Sequence, residues 1–94
     1  MALRSDHYQF TRITSATTTQ VKSGKGILKR IVVNVPVSTG TITMYDAQAA
    51  TTAPIGAITS TADLRPYFID YDLKFANGLN IVTTQAQDIT VVWE

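Results

Sequence analysis

Cysteine is absent from all 94 residues, which removes disulfides, thiolate zinc sites and cysteine nucleophiles together. Histidine is nearly absent. His7 is the one imidazole, too little for a nucleophilic triad or a histidine-rich metal site. No run approaches the roughly 18 consecutive apolar residues of a membrane span. The opening residues 1–8 hold no apolar core of a signal peptide, and no Asn-x-Ser/Thr sequon occurs. Charge is also scarce, at 16% against 45% hydrophobic residues, which excludes a disordered polyelectrolyte. The expectation is a chain made in the cytoplasm that stays soluble until it assembles. Its surface is rich in Thr, Ser, Ala and Gln and short of charge, and low surface charge permits association.

Ninety-four residues make one domain. At 10.3 kDa, area scaling gives roughly 5,400 Å² exposed when folded against about 15,000 Å² unfolded. That supports one core and little spare volume for a deep ligand cavity. Net charge is +1, unevenly spread. Arg4, Arg12, Lys22, Lys25, Lys29 and Arg30 oppose only Asp6 in residues 1–45. Asp46, Asp63, Asp70, Asp72, Asp88 and Glu94 oppose Arg65 and Lys74 in residues 46–94. Halves of a small β domain interleave in space, so mixing of these charges is expected over a dipolar molecule with one basic side.

What is present is alternation. Residues 26–37 are the most β-prone run, with Ile31, Val33, Val35 and Val37 on one face and Arg30, Val32, Asn34 and Pro36 on the other. Pro36 cannot donate to a ladder and marks the strand end. Ser38-Thr39-Gly40 is a hairpin-like connection to a strand in which Ile42 and Met44 share a face. The alanines of residues 47–50 do not sustain a helix, because Thr51, Thr52 and Pro54 cut it short. Residues 55–59 form a short strand. In the next, Ile69, Tyr71, Leu73 and Phe75 point inward while Phe68, Asp70, Asp72 and Lys74 point outward. Asn77-Gly78 is a tight-turn signal leading to residues 79–83, and Ile89, Val91 and Trp93 make a last inward face. Seven or eight short strands with turns every 8–12 residues predict a small antiparallel β-sandwich, jelly-roll or immunoglobulin-like. Residues 21–94 are its body. Residues 1–20, where Tyr8, Phe10 and Arg12 alternate with Gln9 and Thr11, are an N-terminal arm or edge segment placed to lie on a partner.

Reactive constellations are weak. Asp70 and Asp72 lie two apart on one face, a spacing of roughly 6–7 Å, which would suit a carboxylate pair or a cation. Flanked by Lys74, they read as a solvated face that discourages strand-to-strand aggregation. Ser23-Gly24-Lys25-Gly26 fails as a phosphate loop: Thr19 stands where the motif's first glycine belongs, Gly26 replaces the hydroxyl residue, and a strand follows instead of a helix. Lys22, Lys25, Lys29 and Arg30 form a basic cluster without interleaved aromatics, and a sequence pI near 8.1 falls short of a nucleic-acid footprint. An acidic protein partner, or solvated lysines at a turn, fits them better than nucleic acid. No cofactor or metal and no enzymatic activity are expected.

Three segments carry a resemblance. They are Gln20 through Ser23-Gly24-Lys25-Gly26 to Pro36, Gly40-Thr-Ile-Thr-Met-Tyr-Asp46, and Ile69-Asp-Tyr-Asp-Leu-Lys-Phe-Ala-Asn-Gly-Leu-Asn-Ile-Val-Thr83. Together they resemble small β-sandwich virion proteins of tailed bacteriophages, the head decoration (cement) proteins and related accessory subunits. The likeness runs from about residue 17 onward in strand-and-turn pattern. It implies a structural protein of the virion, made in the host cytoplasm, that binds the major capsid protein or another virion protein and works as a homo-oligomer. A tail, neck or fibre-adaptor subunit is the near alternative. A carbohydrate- or receptor-binding sandwich, suggested by Tyr45, Tyr67, Phe68 and Trp93, is the alternative of another class. Such proteins share no fixed binding motif. The partner-binding candidates are therefore Arg4, His7, Tyr8, Phe10 and Arg12 of the first segment, with Lys22 and Lys25 at the turn.

Overall fold

The computed structural model describes residues 8–48, 53–59 and 65–94. They form eight strands and, among the described residues, no helix: β1 (Gln9–Ile13), β2 (Thr18–Ser23), β3 (Gly26–Val35), β4 (Thr41–Tyr45), β5 (Pro54–Thr59), β6 (Tyr67–Phe75), β7 (Gly78–Thr83) and β8 (Asp88–Trp93). One sheet has the order β1-β8-β3-β6 and the other β2-β7-β4-β5. All the pairings are antiparallel. The chain is a small β-sandwich, and two four-stranded sheets in this order are a jelly roll.

Each sheet turns its apolar face to the other. Ile13, Leu28, Ile31, Val33, Phe75, Ile89 and Val91 come from the first sheet, and Ile42, Met44, Ile58, Leu79 and Ile81 from the second. The alternation expected for β4, β6 and β8 is the alternation found. On β3 it holds at Ile31 and Val33, which are fully buried, and then breaks. Asn34 is an extra residue opposite β8, where the register jumps between Val33 and Val35. Its side-chain amide donates to Asp88 and Thr90. Beyond this bulge the faces exchange. Val35 points outward at 57% exposure, while Pro36 is buried and Val37 half-buried, the reverse of strict alternation.

Both expected hairpins are corners between sheets. The Ser38-Thr39-Gly40 turn carries the chain from β3 in one sheet to β4 in the other, and Ala76-Asn77 does the same from β6 to β7. Of consecutive strands, only β4 and β5 pair. The Ala76-Asn77 corner is held by Asp46, whose carboxylate accepts from the backbone N–H of Ala76 at 3.0 Å and of Asn77 at 2.8 Å. Gly78 follows because a Cβ there would lie 2.8 Å from the Ala47 carbonyl and 2.9 Å from that of Lys22. At the opposite corner the buried Gln87 amide donates to the carbonyls of Thr41 and Thr84, and its Oε1 is buried without a partner among the described residues.

Of residues 1–20, read as an arm or edge segment, residues 1–7 lie outside the described residues and the rest hold β1 and the start of β2. β1 runs along β8 at the margin of one sheet and β2 along β7 at the margin of the other. Their connection is stapled by Thr83, whose hydroxyl donates to the Ser15 carbonyl at 2.7 Å.

Candidate interaction surfaces

The outer face of the β1-β8-β3-β6 sheet is built in rows across the strands. Phe10 stands opposite Val92, Val92 opposite Arg30, and Arg30 opposite Asp70; the next row is Arg12, Thr90, Val32 and Phe68. Cross-strand partners share a face, so Phe10, Val92, Val32 and Phe68 form an apolar diagonal. It spans three interstrand steps of about 4.8 Å, roughly 14 Å in all. Phe10 is 72% exposed and Phe68 56%.

Ion pairs flank this diagonal. Arg12 donates to both Asp88 oxygens, at 3.0 and 2.5 Å; Arg30 reaches Asp70 at 2.6 Å and Lys29 reaches Asp72 at 2.7 Å. The hydrogen bond from Arg12 holds the Asp88 carboxyl below the ordinary carboxylate range, with Asn34 assisting. The Lys29–Asp72 pair joins two irregular positions. The β3 register shifts between Leu28 and Arg30 against both neighbours, and Asp72 takes a left-handed φ of 50°. Lys29 also lies over the Tyr8 ring at 5.8 Å, and the Arg30 guanidinium over the Phe68 ring at 4.7 Å. Each pair joins a basic residue of the first half to an acidic residue of the second, as interleaved strands require.

A second feature lies at one end of the sandwich. A cleft of about 370 Å³ is lined by Lys22, Lys25, Gly26, Ile27, Lys74, Phe75 and Glu94. The structure thus divides the basic cluster. Lys29 and Arg30 are bound on the outer face, while Lys22 and Lys25 turn to the cleft and meet Lys74, which stands opposite Ile27 in the β3–β6 register. The outward position of Lys74 was readable from the alternation; that it joins Lys22 and Lys25 was not. Of the other candidates, Tyr8, Phe10 and Arg12 share the outer face, and Arg4 and His7 lie outside the described residues. Among the described residues no three His, Asp or Glu side chains are grouped to hold a metal ion.

No family model and no curated protein matches this chain. Among solved structures, the Drosophila NLP core, described for pentamer formation and histone binding, is similar with a TM-score of 0.56 at 12% identity, over 93% of this chain and 95% of that one. A protein of the disulfide-linked pili of Bacillus endospore appendages gives a TM-score of 0.43 at 15% identity, covering 92% and 81%. The first likeness shows a shared fold.

Proposed function

We propose that this chain is a non-enzymatic structural subunit of a phage particle, a capsid decoration protein that binds the head by protein–protein contact. The observation that carries this reading is the outer sheet face, where two largely exposed phenylalanines and two valines lie in a diagonal band between ion pairs. An apolar band rimmed by charge suits a protein interface. The major capsid protein, as partner, is supported by the strand-and-turn resemblance. Assembly as a homo-oligomer is supported by the low surface charge, and a protein of this fold, the NLP core, is described as forming pentamers. The glycan-binding alternative has less support, because Arg30 and Lys22 each cover a face of an aromatic ring it would use, on Phe68 and Trp93. Tyr67 packs against the core.

The test mixes the purified chain with undecorated shells. Saturable binding and a raised shell-disruption temperature are expected, and the Phe10→Ser/Phe68→Ser variant should lose both while melting as the native chain does. No binding to any virion component would end the reading. Density for the chain on a tail or neck would move it to that alternative.

A further inference from the structure

The basic side chains are unequally employed. Arg12, Lys29 and Arg30 sit in ion pairs, and Arg65 makes an interaction of its own. Lys22, Lys25 and Lys74 form no ion pair among the described residues, and all three line the same cleft. They come from β2, from the turn before β3 and from the end of β6, so the fold assembles them from distant parts of the chain. Glu94 is the one acid in the lining. A neighbouring hollow of about 300 Å³ shares Lys25 and Lys74 and adds Asp46, but that carboxylate is occupied by the Ala76 and Asn77 amides. Three like charges around one cavity repel each other, and this sandwich has acids elsewhere that it uses for pairing. The floor is apolar. Gly26 brings β3 so close to the Phe75 ring that a Cβ would fall 2.7 Å from it.

We infer that this cleft binds the carboxylates of an acidic peptide segment on a partner protein. The inference rests on the contact-module reading and names the partner's chemistry. Ammonium groups are compact, strongly hydrated charges with three donors each, suited to carboxylates approaching from several directions. The half-buried Ile27 meets the aliphatic stems of Glu or the apolar neighbours of Asp. A nucleic acid fits less well. Strand binding uses exposed rings for base stacking, whereas Phe75 is 2% exposed and the Trp93 ring carries the Lys22 ammonium at 5.7 Å.

That contact supplies the readout, since Trp93 is the one tryptophan. The full chain is titrated with a capped hexaglutamate peptide, and separately with hexaglutamine, a ten-nucleotide oligothymidylate and inorganic phosphate. Trp93 emission and calorimetry are recorded in parallel. A saturable response to hexaglutamate alone is expected. Lys25→Gln/Lys74→Gln, which leaves the Lys22–Trp93 contact in place and alters only exposed side chains, should bind roughly tenfold more weakly while melting no lower than the native chain. No saturable binding, undiminished binding by that variant, or tighter binding of the oligonucleotide or of phosphate would overturn the assignment. The native chain's binding to undecorated shells is scored alongside: shell binding without peptide binding removes the cleft assignment alone, and loss of shell binding removes the virion reading.

Discussion

Val33→Ala and Val35→Ala are the same substitution two residues apart on β3, and strict alternation makes them equivalent. The bulge at Asn34 makes them different. Val33 is fully buried between Tyr67 on β6 and Ile89 on β8; Val35 is 57% exposed. Truncation at Val33 removes two buried carbons at about 0.8 kcal/mol each. If the core does not collapse, a cavity of about 40 Å³ adds about 1 kcal/mol. The total is about 1.6 kcal/mol with full collapse and about 2.6 kcal/mol without it. At Val35 the expected change is within about 0.5 kcal/mol, as for other surface positions. Both variants lose the β preference of valine, so the difference between them largely cancels that contribution. Urea unfolding followed by Trp93 emission should give a lower midpoint for Val33→Ala at unchanged slope. A difference near 2 kcal/mol corresponds to about 8–16 °C in Tm for a domain of this size. Equal destabilisation by the two variants would refute the register shift and restore simple alternation.

Three further outcomes follow from the corners and the ion pairs. Asp46 is held below the ordinary carboxylate range by the N–H of Ala76 first and of Asn77 next, and Asp88 by Arg12. With folded values below the unfolded one of about 3.9, the unfolded chain binds more protons. Stability is therefore complete above that value and falls as pH drops through the folded values; urea midpoints between pH 2 and 6 should decline less steeply in Asp46→Asn. Gln87→Ala takes the amide donor from the Thr84 carbonyl, while that of Thr41 keeps the Thr84 N–H, and leaves a cavity but also removes the unpartnered Oε1, so the cost by the same assay is about 1–2 kcal/mol. A double-mutant cycle on Arg30 and Asp70, both well exposed, should give a coupling below about 1 kcal/mol that shrinks in high salt.

Most of the sandwich was legible because a half-buried strand writes its faces into a period of two. Ile42 and Met44, Ile69 through Phe75, and Ile89 with Val91 all lie where that period puts them. The period cannot announce its own interruption. Neither Lys29 nor Asn34 has a local feature marking it as an extra residue opposite β8, and against β6 the extra residue falls on β6 itself, between Asp70 and Leu73. Turn chemistry was equally mute about destination, since Asn77-Gly78 suits a hairpin or a corner, and distant groups hold it as a corner: the Asp46 carboxylate and the Gly24 N–H. Pairing of the basic first half with the acidic second half followed from interleaving, but its partners, such as Arg12 with Asp88, are set by tertiary register. The same holds for the cleft, where Lys74 joins lysines some fifty positions earlier in the chain.

The strand order has a temporal consequence. β1 and β2, made before the other six described strands, hydrogen-bond to β8 and β7, the last two of the eight. Neither can find its neighbour until β7 and β8 have been made, so until then the nascent chain carries Ile13 and the apolar side of β3 without that cover. Closing such large loops makes barrier crossing slow compared with a helical bundle of equal length. Completion of both sheets thus waits on β7 and β8, and the interval before it is when these strands are most exposed to aggregation.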